Sequence, residues 1–258
     1  MSKKIVKRLS AVLVLILAVV LLSVSVAAGV ADSTYYATGL LTSTEKRAVT
    51  GKPIGTVIVM SPTNNKYYIG ATAEQMVASN QVKIVCIPGV GSSSIGAAAM
   101  AKQIAKDQNQ MVAAITVGLG DSTIYTEGVQ GYFIGRTSNV ARTYYYETAS
   151  AKLISLYERG AKPTMLVGHS KGDMDIANAL FGLYNTGRKS LYNGVTFKTF
   201  GCGVNVPAGV TLKQYIGTCD SMGYINTISW KNMTYVYGKY HTLNPTYAFT
   251  YMPIAKYV

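Results

Sequence analysis

TMLVGHSKG, residues 164–172, is the stretch of this sequence that decides the fold. Its first four residues favour a strand, and apolar residues then recur at helical spacing, at Ile176, Ala177, Leu180 and Tyr184. Gly-x-Ser-x-Gly between a strand and a helix is typical of a nucleophile elbow, a tight turn that lifts the hydroxyl of Ser170 clear of the sheet. Glycine suits positions 168 and 172, because a side chain there would collide with the neighbouring strand or helix. The alternative, a turn that merely connects two elements, is disfavoured by this pair of glycines.

The remainder of the chain alternates short apolar strands with helical segments. Composition favours a compact fold over disorder, since 49% of the residues are hydrophobic and 14% are charged. The predicted elements are a hairpin over residues 56–69, strands over 82–87, 111–117, 164–167, 195–200, 214–218 and 234–237, and helices over 95–107, 140–160 and after the elbow. This order predicts an α/β fold with one mainly parallel sheet and helices on both faces.

Two segments carry no clear periodicity. Residues 32–52 are polar and turn-rich, and we expect a loose entry segment there. Residues 118–136 contain several glycines together with aromatic residues. They are interpreted either as a mobile lid or as an ordinary long connection with some packing of its own.

The N-terminus has the pattern of an export signal. Basic residues stand before an apolar stretch over residues 11–26, and small residues follow it. Cleavage after Ala28 or Ala31 is predicted; the alternative is an uncleaved membrane anchor, because the apolar stretch is nearly long enough to span a bilayer. We therefore expect residues 1–31 to be a signal peptide or N-terminal anchor and residues 32–258 to form one secreted or otherwise extracytoplasmic domain.

The chain is strongly basic, with a formal net charge of +13. Removal of residues 1–31 would take away four of the 24 Lys and Arg residues and none of the 11 acidic ones, which leaves +9. A basic exported protein is drawn to anionic partners such as a phospholipid membrane or a cell-wall polymer, although a merely soluble basic surface explains the charge equally well. Nucleic acid is not expected as a partner, because the basic residues are scattered rather than clustered.

Three cysteines, Cys86, Cys202 and Cys219, are too few and too unevenly spaced for a disulfide framework or a zinc site. A single bridge between Cys202 and Cys219 is compatible with export. Buried free thiols are the favoured interpretation, because all three cysteines lie in or beside apolar strand-like segments.

Few residues of the chain could activate Ser170. Of its two histidines, His169 stands beside the serine, and its side chain is expected to point away from Oγ, which leaves His241 as the candidate general base. Asp220 is the one carboxylate after residue 175, so it is the candidate for orienting the imidazole. The alternatives are a histidine with a surface or core role and an aspartate that caps the turn into residues 221–223.

Catalysis at a serine also needs N–H donors aimed at the developing oxyanion. One candidate is the backbone N–H of Lys171, the residue after the serine. The second is the N–H of Val90 in the glycine-rich loop over residues 88–93, with Gly89 and Gly91 as alternatives. Phosphate binding by this loop is disfavoured, because it lacks the Gly-Lys-Ser/Thr ending of a phosphate-binding loop.

Four parts of the sequence, Val82–Ser93, Gly168–Gly172, Val195–Val206 and Asp220 with His241, resemble the α/β-hydrolase superfamily, and in particular its lipase (class 3)-like serine hydrolases. The resemblance implies an α/β-hydrolase domain over residues 32–258, hydrolysis of carboxylic esters, lipids or other acyl esters as substrates, and no cofactor. Lys171 differs from the apolar residue usual at its position in that branch.

The sequence thus predicts an exported serine hydrolase that cleaves acyl esters with Ser170, Asp220 and His241. Two alternatives remain at this point. One is a non-catalytic surface-binding protein that has kept a hydrolase fold, and the other is a peptidase or acyltransferase that uses the same three residues.

Overall fold

A single mixed sheet forms the centre of the computed structural model, which describes residues 28–117, 132–144 and 148–258. The strands are, in chain order, β1 (Val57–Met60), β2 (Tyr67–Ile69), β3 (Ile84–Ile87), β4 (Val112–Ile115), β5 (Met165–His169), β6 (Thr196–Phe200), β7 (Thr211–Gly217) and β8 (Met233–Val236). They lie side by side in the order β2-β1-β4-β3-β5-β6-β7-β8. Strand β1 is antiparallel to both of its neighbours, and the other pairings are parallel.

Helices cover both faces of this sheet. They are α1 (Ala28–Tyr35), α2 (Ser43–Val49), α3 (Ala71–Ala78), α4 (Ser94–Gln108), α5 (Tyr132–Ala141), α6 (Thr148–Glu158), α7 (Lys171–Asn185), α8 (Ser221–Asn226) and α9 (Ile254–Tyr257). Helices α3, α6 and α7 bury apolar side chains against one face, and α2, α4 and α9 against the other. The predicted mainly parallel sheet with helices on both faces is confirmed.

The central strands are apolar on both sides because both sides are covered. In β3, Val85 and Ile87 belong to the core beneath α7, whereas Ile84 and Cys86 belong to the core beneath α4. All four side chains are fully buried, and burial of an isoleucine or valine side chain contributes roughly 1.5–3 kcal/mol. This packing fixes the carboxyl end of β3, from which residues 88–93 extend.

The predicted loose entry segment over residues 32–52 is wrong. Helix α1 runs to Tyr35, and α2 begins after a capping box in which Thr42 and Glu45 bond to each other's backbone N–H groups. Glu45 is fully buried and pairs with Lys102 of α4 at 2.9 Å. The segment is therefore packed onto the sheet and is not a loose tail.

The single predicted helix over residues 140–160 is also wrong. Helix α5 ends at Ala141, and Arg142 has a left-handed backbone with φ 57°, which a continuous helix does not accept. Helix α6 then begins at Thr148. The hairpin over 56–69 and the helix over 95–107 are confirmed within one or two residues.

The three thiols are free. Cys86 and Cys202 are buried as expected, but Cys219 is exposed, because it lies in the turn that follows β7 rather than within the strand. The predicted burial is therefore wrong for Cys219, and no bridge joins it to Cys202.

Most of the predicted export signal, and most of the predicted lid, fall on residues outside those that the structure describes. Both stay predictions. Within the described ranges, no helix is long and apolar enough to cross a membrane.

Candidate active site

The predicted elbow is present as a strand, a strained turn and a helix. Ser170 stands between β5 and α7 with φ 55° and ψ −121°, a conformation that costs a residue other than glycine about 1–3 kcal/mol. Its backbone N–H donates to the carbonyl oxygen of Phe200, at the end of β6, over 2.9 Å. A β-carbon at Gly168 or Gly172 would come within 2.2 Å of Asp173 Oδ1 or of the Ile87 carbonyl oxygen respectively, so both glycines are required.

Asp220 and His241 lie in contact, one after β7 and the other after β8. His241 Nδ1 is 2.8 Å from both carboxylate oxygens of Asp220. Because a carboxylate only accepts, Nδ1 carries the hydrogen, and in the neutral ring Nε2 is then the basic nitrogen. Asp220 is 1% exposed, so the pair is shielded from water.

Asp220 also caps helix α8. Its Oδ1 accepts a hydrogen bond from the backbone N–H of Gly223 over 2.6 Å. The sequence left open whether this aspartate orients a histidine or caps a turn; in the structure its carboxylate contacts the His241 imidazole and also accepts the Gly223 N–H.

The ring of His241 lies beside the elbow. A β-carbon at Gly201 would come within 2.8 Å of its Nδ1 and Cε1 atoms, and Gly201 directly follows Phe200, the acceptor of the Ser170 N–H. Glycine is also favoured there by its φ of 76°. The sheet thus holds the imidazole at the carboxyl end of β6, next to the end of β5.

The Nε2 atom of His241 is buried and makes no hydrogen bond within the part of the chain that the structure describes. Ser170 Oγ does not bond to it in this structure. Contacts of this kind are often long without substrate and shorten once substrate is bound. Among the described residues, this nitrogen is therefore a buried acceptor without a hydrogen bond.

The two ring nitrogens of His169 contact Tyr36 and His241, so this side chain links two other parts of the site. Its Nε2 lies 2.8 Å from the backbone carbonyl oxygen of His241, and its Nδ1 lies 2.8 Å from the hydroxyl of Tyr36. The carbonyl oxygen only accepts, so Nε2 carries the hydrogen and Nδ1 accepts from the Tyr36 hydroxyl. The two histidine rings stack obliquely at a centroid distance of 4.8 Å.

Burial keeps His169 neutral. Desolvation lowers its pKa well below the ordinary value of 6.5, and the proximity of His241 lowers it further, against a smaller opposing effect of the bond to the His241 backbone. Burial likewise raises the pKa of Tyr36, so its hydroxyl keeps its proton. At neutral pH, His169 therefore stays neutral and Tyr36 stays protonated, so the hydrogen bonds that join Tyr36, His169 and the His241 backbone keep their direction.

Tyr36 also reaches the glycine-rich loop. Its hydroxyl oxygen accepts a hydrogen bond from the backbone N–H of Gly89 over 2.7 Å. A second hydrogen bond holds the loop, because the Asp32 carboxylate accepts from the backbone N–H of Ser93 over 2.9 Å. Residues from the end of α1 onward thus position the loop over residues 88–93.

The same loop lies against the elbow. A β-carbon at Gly89 would be 3.1 Å from the β-carbon of Ser170. Because the Gly89 N–H is used by Tyr36, Gly89 is wrong as an alternative oxyanion donor, whereas the N–H of Val90 has no acceptor among the described residues. The N–H of Lys171 belongs to the first turn of α7, where N–H groups have no acceptor within the helix.

Lys171 presents no charge at the elbow surface. Its side chain is 1% exposed, and Nζ pairs with Asp175, one helical turn along α7, over 3.0 Å. The aliphatic stem therefore fills buried space, as an apolar residue would. The departure of Lys171 from the lipase-like pattern is accommodated by this pair.

Asp173 lies beneath the elbow without a hydrogen bond from the described residues to either carboxylate oxygen. Burial raises the pKa of Asp173 well above the ordinary value of 3.8. The nearby Phe200 backbone opposes this rise, and the charge of Asp175 adds to it. A carboxylic acid that remains protonated is the form that fits this site.

Tyr36 is not predicted as a site residue, because it lies in residues 32–52, for which a loose segment is predicted, and is one of 20 tyrosines. Its contact with His169 spans 133 positions. The capping-box pattern of Thr42 and Glu45 is the signal that could have shown the segment to be folded.

No protein-family model matches the chain, and no curated protein matches it. Among solved structures, it is similar to a dienelactone hydrolase-like promiscuous phosphotriesterase from metagenomic libraries, with 13% sequence identity and a TM-score of 0.37 over 67% of this chain and 80% of that one. The chain's own topology, with a strand–serine–helix elbow after β5, an aspartate after β7 and a histidine after β8, is that of the α/β-hydrolase fold.

Proposed function

We propose that this protein is a serine hydrolase that cleaves carboxylic acyl esters, with Ser170 as nucleophile, His241 as general base and Asp220 as the group that orients the imidazole. The observation that carries the proposal is the contact of His241 Nδ1 with Asp220 at 2.8 Å, which leaves Nε2 buried beside the strained elbow and without a hydrogen bond from any described residue. A histidine with only a packing role has no need of this arrangement.

In the proposed reaction, Ser170 Oγ attacks the ester carbonyl carbon while its proton passes to His241 Nε2. The carbonyl oxygen becomes an oxyanion and accepts hydrogen bonds from the backbone N–H groups of Val90 and Lys171. Asp220 stabilises the imidazolium. When the bond from carbon to the leaving oxygen breaks, His241 returns its proton to the departing alcohol and an acyl-serine remains.

Water completes the cycle. It attacks the acyl carbon and gives a proton to His241 Nε2, and the second tetrahedral intermediate then releases Ser170 Oγ, which takes the proton back. The carboxylic acid leaves, and atoms and charges balance without a further reactant.

Acyl esters are the proposed substrates because an aromatic ring lies against His241 and an apolar side chain lies against that ring. The Tyr35 ring meets the His241 ring edge-on at 6.0 Å, and the Met222 sulfur lies 4.0 Å from the Tyr35 hydroxyl. Such neighbours suit an acyl or alkyl group rather than a charged one. The resemblance to lipase (class 3)-like hydrolases makes the proposal more specific, with a lipid ester as the substrate.

The test is turnover of p-nitrophenyl butyrate and octanoate by the wild type, Ser170→Ala and Ser155→Ala, a matched control on α6. We expect Ser155→Ala to match the wild type and Ser170→Ala to lose a factor on the order of 10⁴ in kcat/KM. Equal turnover by the wild type and Ser170→Ala would contradict the proposal. Cleavage of p-nitroanilides but not esters would instead identify a peptidase, and absence of all turnover a non-catalytic binding protein.

A further inference from the structure

Large apolar side chains are exposed mainly in one stretch of the chain. Of the twelve such side chains exposed among the described residues, nine lie between Met222 and Phe249, from α8 to the loops after β8. Scattered exposed apolar residues are ordinary, but a concentration on one edge of a fold marks an interaction surface.

Five of these side chains lie on α8, on β8 and on the loop between them, and are here called the β8-edge surface: Met222, Tyr224, Ile225, Trp230 and Tyr235. The Trp230 ring lies 5.5 Å from that of Tyr224 and stacks at 6.4 Å on that of Tyr235. Met222 and Ile225 are three residues apart on α8 and so share a helix face. Trp230 is 45% exposed and Tyr235 is 54% exposed, which is unusual for rings of this size.

The part of the chain after Asp175, which forms this surface, is basic. After Asp175 the sequence holds seven Lys and Arg residues, whereas its one acidic residue, Asp220, is buried. Lys231, next to Trp230, also lines a cavity of about 350 Å³ together with Arg142, and none of the lining residues is acidic. An anionic partner is the one that this charge complements.

The surface adjoins the candidate active site. Asp220 is the N-cap of α8, and the Met222 sulfur lies 4.0 Å from the hydroxyl of Tyr35, whose ring contacts that of His241. A partner seated on the β8-edge surface would therefore lie near the candidate site.

We propose that the β8-edge surface docks onto an anionic phospholipid bilayer. Tyr and Trp rings are amphipathic and suit the headgroup level, Met222 and Ile225 are apolar enough to enter the acyl boundary, and Lys231 and Arg142 pair with lipid phosphates. Docking does not depend on the proposed hydrolysis, so Ser170→Ala retains it.

The test uses the full-length Ser170→Ala chain, which leaves lipid unchanged, and the emission of Trp230, the one tryptophan in the sequence. Vesicles of phosphatidylglycerol with brominated acyl chains should shift this emission to the blue and quench it, whereas phosphatidylcholine vesicles should do neither. Quenching reports contact at Trp230 itself, so binding through the apolar N-terminal stretch is distinguished from docking.

Matched variants locate the contact. Tyr235→Ser should raise the lipid concentration for half-quenching roughly tenfold, and Lys231→Gln about fivefold. Tyr184→Ser, which removes a tyrosine that is 44% exposed outside the surface, should leave it unchanged. Thermal melts establish that each variant is folded.

Three results would overturn the proposal. One is vesicle cosedimentation with Trp230 emission unchanged, which would assign binding to another segment. Another is an emission shift caused equally by soluble polyphosphate, which would assign the surface to a polyanion. The third is a shift that grows with protein concentration without lipid, which would assign it to a second copy of the chain.

Discussion

The imidazole of His169 holds the backbone of His241, with Nε2 2.8 Å from the carbonyl oxygen of that residue. The residue before the proposed nucleophile thereby fixes the loop that carries the proposed base. The other ring nitrogen accepts from Tyr36, which in turn holds the N–H of Gly89. One buried tyrosine and one neutral histidine thus join the elbow, the base and the proposed oxyanion loop.

Tyr36→Phe should impair both stability and activity. It leaves the Gly89 N–H and His169 Nδ1 without partners, which costs about 1–3 kcal/mol of unfolding free energy for each buried group. Loosening of both loops should lower kcat about 10–100-fold with a small change in KM. Urea unfolding and p-nitrophenyl ester kinetics measure the two effects.

Tyr157→Phe is the matched control for this change. Tyr157 is as buried as Tyr36, but its hydroxyl has no hydrogen-bond partner among the described residues. We expect neutral or slightly raised stability and unchanged kinetics. Similar losses in both variants would show that the contacts of Tyr36 have no particular role.

Asp220→Asn and Asp220→Ala separate the two functions of this carboxylate. Asparagine is also a good N-cap, so the asparagine variant should keep α8, whereas alanine should lose about 1 kcal/mol of stability. Both should lose on the order of 10⁴ in kcat, because neither can stabilise the imidazolium of His241. Ester turnover together with thermal melts tests this. Activity close to that of the wild type in Asp220→Asn would remove Asp220 from the proposed triad.

His169 should make the fold less stable in acid. Its folded-state pKa lies well below 6.5, so below about pH 6.5 the unfolded chain takes up a proton that the folded chain does not, and stability falls as the pH falls. His169→Gln keeps a donor toward the His241 carbonyl group and cannot titrate. The free energy of unfolding of the wild type should therefore fall more than that of His169→Gln between pH 7 and pH 5. Parallel falls would contradict a buried neutral His169.

Asp173 should have the opposite dependence. Its folded-state pKa is raised well above 3.8, so as the pH rises past 3.8 the unfolded chain releases a proton that the folded chain keeps, and stability falls. Asp173→Asn removes this loss. We expect little difference from the wild type at pH 4 and a gain of about 1 kcal/mol or more at pH 7, roughly 2–4 °C in Tm. A variant that is less stable at both pH values would show that the carboxyl group has a stabilising partner.

The elbow and the residues brought near it could be predicted because the sequence offers few alternatives. Glycines bracket Ser170, and scarcity alone singled out Asp220 and His241. The contact between Asp220 and His241 follows from a parallel sheet, which gathers the loops after β7 and β8 at one edge.

The links that position these residues could not be predicted in the same way. The tie from Tyr36 to His169 depends on how α1 packs against the sheet, and no local pattern encodes that contact. The end of α5 at Ala141 was missed because no glycine or proline follows it to mark the stop, although Arg142 adopts a left-handed backbone.

The most direct measurement of the central claim is intact-mass and peptide analysis after treatment with a fluorophosphonate, which phosphonylates an activated serine. We predict a single adduct on the peptide that contains Ser170, and its loss in Ser170→Ala and strong slowing in His241→Ala. No adduct on the folded wild type, or an adduct that forms equally fast in His241→Ala, would contradict the assignment of Ser170 as a nucleophile activated by His241.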